Sequence, residues 1–263
     1  AERALQLDEN LADAHKARAV IASDGEWDLQ KALQHFERAL ELRPGYAAAH
    51  MFYGQMLGGL PLERFDEARQ HLDRARQLDP LMPWNDISLV AWWLWQGHPE
   101  KALEEAERAA PLNPTVWELR WQMGFAQLLR LQPGLAVPQC EAAVKLCQPD
   151  RPAAVLAPLG LAYGLAGRRT DAINILAEME LASQKRYISP YDLAAVYSGL
   201  GRMDEAFRLL DQALERRTPW LVICCTRYDP LSVALRRDPR WKSFIDQLRR
   251  QVRLPPGTPN PYS

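Results

Sequence analysis

YDLAAVYSGLGRMDEAFRLLDQAL, residues 191–214, reads as two helices around one stop. Ala194 sits midway along the first helix, Tyr197 follows it, and Gly201 ends the turn. Ala206, Leu210 and Ala213 recur at the spacing that lines one face of a second helix. Glycine is the usual residue at such a stop, because it takes the left-handed backbone without steric cost. Two antiparallel helices approach to about 8–10 Å only where the contact residues are small. The alanines therefore mark the line of contact, and Tyr197 and Leu210 fill the space beside it.

The same pattern recurs along the chain. The small residue of each first helix is Ala19, Gly54, Val90, Gly124, Gly160 and Ala194, at spacings of 35, 36, 34, 36 and 34. The early alanine of each second helix is Ala32, Ala68, Ala102, Ala136, Ala172 and Ala206, at spacings of 36, 34, 34, 36 and 34. Seven residues on stand Ala39, Ala75, Ala109, Ala143, Met179 and Ala213. Tyr53, Trp93 and Tyr163 share the column of Tyr197, while Phe36, Leu72 and Leu176 share that of Leu210. Pro44, Pro80 and Pro114 close the first three second helices, since proline cannot continue a helix. Gln148, Gln184 and Thr218 replace them later. Gly97 and Gly167 match the stop at Gly201, and GGLPLERFD and LQPG are longer or proline-bearing versions of that turn.

These columns, with HMFYGQML (50–57) and FDEARQHLDRARQLDP (65–80), resemble the tetratricopeptide pattern W-x2-L-G-x2-Y…A-x3-F…P of period 34. The resemblance implies an all-α, right-handed α-solenoid of about six helix–turn–helix repeats. It divides the chain into an array over residues 1–218, with 1–9 as the tail of a preceding repeat and repeats at 12–44, 47–80, 83–114, 117–148, 153–184 and 187–218. After Thr218 the pattern breaks. The apolar TPWLVICC leads to a helix expected near Asp238-Pro239, so residues 219–253 read as a C-terminal cap covering the terminal apolar face. The proline-rich LPPGTPNPYS, residues 254–263, reads as a disordered tail.

Phrases such as SPYDLA and DPRW also resemble the C-terminal arrays of bacterial multidomain regulators, which follow a winged-helix domain, a kinase or a nucleotide cyclase. That implies a signalling or transcription regulator as the parent. The opening AERALQLDEN, which lacks a starting Met and reads as the back half of a helix, fits a piece of a longer chain.

Composition excludes little else. A net charge of −1 gives no field for steering nucleic acid or an anionic membrane, so neither is an expected partner. No apolar run nears the roughly 20 residues that cross a bilayer, and no targeting segment is visible, so a cytoplasmic setting is expected. Cys140 and Cys147 lie two helical turns apart, about 10.5 Å, too far for a disulfide. Cys224-Cys225 reads as two small hydrophobes rather than a vicinal disulfide or redox sensor.

No phosphate-loop, H-E-x-x-H or G-x-S-x-G motif occurs, so no catalytic residue, metal site or cofactor is expected and the chain is read as a non-enzyme. His15 and His50 hold equivalent repeat positions, as a stacked ladder or as plain packing. The resemblance places first-helix residues one turn apart on a concave, partner-binding surface. The expected site is Met51, Trp84, Ile87, Trp95, Trp121, Phe125 and Tyr191, with Trp84, Trp95, Trp121 and Phe125 as its centre. Six of the nine tryptophans fall between Trp84 and Trp121. Packing between neighbouring first helices, or cover by the apolar tail folding back, remain the alternatives for these four, and Trp93 is assigned to the core. Val20 and Phe52 stand where a carboxylate-gripping clamp needs asparagine, and Ala17, Phe52, Ser88, Gln122, Pro158 and Asp192 replace the asparagine ladder of the sugar-transferase variant.

The expected function is thus a protein- or peptide-binding scaffold inside a regulator, with self-association as a further partner reading. The alternatives are a small-molecule sensor with an aromatic-lined pocket, or a docking domain for the parent's own kinase, cyclase or DNA-binding domain.

Overall fold

The computed structural model describes residues 1–59, 61–222 and 227–258. Among them run fourteen α-helices and no β-strand. A short α1 (Glu2–Leu7) precedes six antiparallel pairs. The pairs are α2 (Ala12–Asp24) with α3 (Leu29–Leu42), α4 (Ala47–Gly59) with α5 (Phe65–Leu78), and α6 (Trp84–Trp95) with α7 (Pro99–Ala109). Then come α8 (Trp117–Leu129) with α9 (Pro133–Leu146), α10 (Ala153–Leu165) with α11 (Arg169–Ser183), and α12 (Pro190–Gly199) with α13 (Met203–Glu215). Two 3-10 turns, Pro230–Ser232 and Leu235–Arg237, lead to α14 (Arg240–Gln251).

The small-residue columns lie at the helix contacts. Ala19, Val90 and Ala194 are fully buried on first helices, as are Ala32, Ala68, Ala102, Ala136, Ala172 and Ala206 on second helices. Where α10 crosses α12, Gly164 meets Gly199 so closely that a Cβ on Gly164 would stand 2.4 Å from the Gly199 carbonyl carbon. A second contact repeats between neighbours. The hydroxyls of Tyr53, Tyr163 and Tyr197 donate to Glu37, Glu141 and Glu180 of the preceding pair's second helix, at 3.2, 2.7 and 2.5 Å. Trp93 takes this column in the third pair. Having no hydroxyl, it stays half-buried beneath the Lys101 ammonium, 4.4 Å from its ring centre. Trp92 goes inward instead, and its indole N–H donates to the Phe65 carbonyl at 2.9 Å. The core residue of this pair is therefore Trp92, one position from the tryptophan that the column selects.

Every turn within a pair uses one left-handed residue. Gly97, Gly167 and Gly201 have φ of 75, 78 and 74°, while Trp27, Glu63 and Leu131 take 57, 50 and 57° at the matching places.

After α13 the chain turns back across the first helices. The Pro230–Ser232 turn lies against α8, α10 and α12, and α14 packs on α13. Asp238 accepts from the Arg240 backbone N–H at the entry to α14. Arg253 then reaches the first pair. Its N–H donates to the Trp27 carbonyl at 2.8 Å, and its carbonyl accepts from Leu29 at 2.9 Å. Its guanidinium pairs with Asp28 at 2.9 Å, and Arg217 adds a bond to the Glu26 carbonyl. Leu254 packs on the core beyond this contact. Residues 259–263 of the tail, and Cys224 and Cys225, lie outside the described residues.

Candidate binding surface

The returning C-terminal segment divides the face formed by the first helices. Over α8, α10 and α12 it lies directly on that face, with the Tyr191 hydroxyl bonded to the buried carboxylate of Asp229. Asp229 also accepts from the Leu231 N–H, which fixes the 3-10 turn. Asp192 lies beside this junction, and burial together with the Asp229 charge pushes its carboxyl up to about 7. Phe125 is buried, and its ring centre lies 4.3 Å from that of Trp121. Trp121 stacks edge-on with Trp117 and donates its indole N–H to the Ala154 carbonyl of α10 at 2.8 Å.

Over α2, α4 and α6 the face stays open around a pocket of about 110 Å³. Val20 and Asp24 come from α2, Phe36 from α3, Phe52 and Met56 from α4, Trp95 from α6, and Trp220 from the returning segment. Trp95 lies across Gly58 and Gly59, where any Cβ would come within 2.8 Å of its ring. Gln55 donates to Ser88 at 2.8 Å, tying α4 to α6 at the pocket's edge. Burial raises the Asp24 carboxyl above its usual range, against a hydrogen bond of 2.8 Å from Ser23. No Lys, Arg or His among the described residues forms an ion pair with Asp24.

Of the seven sequence-derived site residues, Trp95 lines this pocket, and Trp84, 45% exposed, is the open one on the same helix. Met51 and Ile87 are buried at 3% and 4%, and Tyr191 at 6% is covered by the C-terminal segment. Trp121 and Phe125 form a separate aromatic pair on α8. Sequence reading missed Phe52, which it placed only where a clamp asparagine would stand, as well as Asp24 and Trp220. Asp24 follows the inward column of α2 by one turn from Val20, a signal that was there to use; Trp220 arrives from a distant part of the chain.

A wider cleft of about 390 Å³ opens where Tyr228, Val233, Arg236 and Arg237 meet Gly97, Pro99, Leu129 and Leu131. Of its three arginines, Arg227, Arg236 and Arg237, Arg236 is spent on the segment's own carbonyls and on Ser232.

The histidines pair within repeats. His15 meets His35, and His50 meets His71, with Nδ1 atoms 2.9 and 2.8 Å apart. His15 and His50 each face a backbone carbonyl through Nε2, at Glu9 and Pro44, so Nε2 carries their proton. Their Nδ1 atoms then accept from His35 and His71. Burial lowers the His35 and His50 pKa, and carries His71 down to about 4. The two described cysteines, Cys140 and Cys147, are free, and burial pushes the Cys140 thiol up to about 12. Among the described residues no group of three or more His, Cys, Asp or Glu could hold a metal ion, and no helix is long and apolar enough to cross a membrane.

No protein-family model and no curated protein matches the chain. Its architecture does match solved structures. A thermophilic TPR protein of Thermus thermophilus aligns at 21% identity and TM-score 0.52, over 76% of this chain and 98% of that one. Yeast Tom70 aligns at 19% identity and TM-score 0.61, over 97% of this chain and 50% of its own. Cut9, from the APC/C hetero-tetramer Cut9–Hcn1, aligns at 16% and 0.60, over 95% and 45%. With the 34-residue period, the small-residue contacts and the paired helices, these likenesses establish that the chain folds as a tetratricopeptide-repeat array.

Proposed function

We propose that this chain is a non-catalytic scaffold that binds a segment of another protein, and that it serves as an interaction module of a larger bacterial regulator. The observation that carries this reading is the open aromatic pocket between α2, α4 and α6. A concavity walled mainly by the rings of Phe36, Phe52, Trp95 and Trp220 is the kind of place where interface anchors dock. Its volume of about 110 Å³ takes one side chain, well under the roughly 300–1,000 Å³ of a drug-sized ligand site. That favours a protein segment over an enclosed small molecule. The wider cleft has Tyr228 as its one aromatic among the described lining residues, so it does not fit an aromatic-lined sensor pocket. Cut9, which shares the fold, is found in a hetero-tetramer with Hcn1, a precedent for the architecture as a protein-binding surface.

A peptide-display selection on the intact chain tests the reading. Binders should share one anchor side chain and lose about 2 kcal/mol of affinity on Phe52→Ala, while circular dichroism shows the variant folded. Binders that ignore Phe52 and Trp95 would count against the pocket as the site.

A further inference from the structure

The pocket combines two features that an ordinary apolar side-chain slot does not need. Four aromatic rings, Phe36, Phe52, Trp95 and Trp220, share its wall with the half-buried carboxylate of Asp24. That carboxylate has one modest partner, the Ser23 hydroxyl, and no ion pair among the described residues. A carboxylate held out of water without a counter-charge is costly, and a cation arriving with its own hydrocarbon would offset that cost. The aromatic faces add to the same preference, since ring quadrupoles attract cations, and alkylated ammonium groups surrender water most readily. Phe52 shows the affinity already: the Lys16 ammonium stands 5.3 Å from its ring centre, without lining the pocket. The space, about 110 Å³, corresponds to roughly four water molecules, the scale of one ammonium head and its neighbouring carbons.

We propose that this pocket binds an alkylammonium group, the end of a lysine side chain, methylated or not, on the bound protein segment. Asp24 supplies the counter-charge, and Phe52, Trp95 and Trp220 supply the cage. The proposal rests on the scaffold reading above and adds the chemistry of its anchor. The site is complete only with Trp220 in place, so the returning segment helps to build it.

The test is a titration of the whole chain with four probes, followed through the indole N–H signals of Trp95 and Trp220. The probes are choline, its carbon isostere 3,3-dimethylbutan-1-ol, Nα-acetyl-lysine N-methylamide and the trimethyl-lysine counterpart. The cationic probes should bind at least tenfold more tightly than the isostere, with the trimethyl-lysine compound tightest. Asp24→Asn, nearly the same shape, should remove most of that preference, and Trp220→Ala should weaken all cations about tenfold. Equal binding of the isostere would overturn the cation assignment while leaving an apolar anchor pocket. An unchanged preference in Asp24→Asn would overturn it too. No binding by any probe would also overturn it, leaving the scaffold reading to the peptide selection. Choline binding tenfold tighter than trimethyl-lysine would overturn the protein segment as the source.

Discussion

At the scale of single residues, the histidine pairs make the sharpest statement. His50 and His71 can share one hydrogen bond only while His50 Nδ1 is unprotonated. The folded His71 pKa lies near 4, below the unfolded value of about 6.5. The unfolded chain therefore binds the extra proton first, and the stabilisation present above about pH 6.5 is lost as pH falls toward 4. Asp192 acts in the opposite direction. Its raised pKa contributes stability below the unfolded carboxylate range, which is lost as pH rises through about 7. The wild-type profile sums these with the other shifted groups, His35, His50 and Asp24 among them, so the variant difference is the measurement. His71→Gln should flatten the acid limb between about pH 6.5 and 4 in paired denaturant melts, leaving the limb above pH 7 unchanged. A second residue-scale prediction concerns Trp121, whose N–H bridges α8 to α10. Trp121→Phe should cost roughly 1 kcal/mol for the lost bond, and Trp121→Ala several times that. If Trp121→Ala melted like the wild type, the α8 aromatic pair would be surface rather than packing.

At the scale of elements, the helix pairs and their contact columns were legible in the sequence, because small-residue spacing is set by the backbone approach itself. The turns were half legible. Gly97, Gly167 and Gly201 announced three left-handed stops, whereas Trp27, Glu63 and Leu131 take the same conformation without a glycine to signal it. What forces them is the equal geometry of successive pairs, a tertiary demand that outweighs local preference. The consequences differ by burial. Leu131 is 58% exposed, so Leu131→Gly should relieve left-handed strain and be neutral to stabilising by about 1 kcal/mol. Trp27 is fully buried, so Trp27→Gly should cost more than about 3 kcal/mol. Thermal melts of the two variants moving in the same direction would refute this account of the turns. His35 and His71 were readable as well, since they follow His15 and His50 at offsets of 20 and 21 in successive repeats. The exchange of Trp92 and Trp93 was not readable. It depends on whether a column residue carries the hydroxyl that reaches back to the preceding pair.

At the scale of the whole molecule, the sequence offered the return of the apolar tail over the inner face as an alternative but held nothing to say where it would land. Tyr191 stands in an inward column, but its partner Asp229 is 38 residues away, and Asp28 pairs with Arg253 across 225 residues. No periodicity encodes such pairings. The segment covers the α8–α12 part of the inner face and contributes Trp220 to the pocket over α2, α4 and α6. The Arg253–Asp28 ion pair, exposed on its arginine side, should matter little on its own, with Arg253→Ala costing under about 1 kcal/mol. Ending the chain after Thr218 should matter a great deal. It uncovers Tyr191 and the face of α8, and strips the backbone partners of Trp27 and Leu29, and is expected to broaden the melt and to bind a hydrophobic dye.

The central claim is that partners engage the inner face at the pocket formed by α2, α4, α6 and Trp220. Hydrogen exchange followed by mass spectrometry, with and without a selected binding peptide, tests it most directly. The account predicts added protection in residues 20–24, 52–59, 91–96 and 219–222. Protection confined to the second helices α3, α5 and α7, with the pocket helices unchanged, would contradict it.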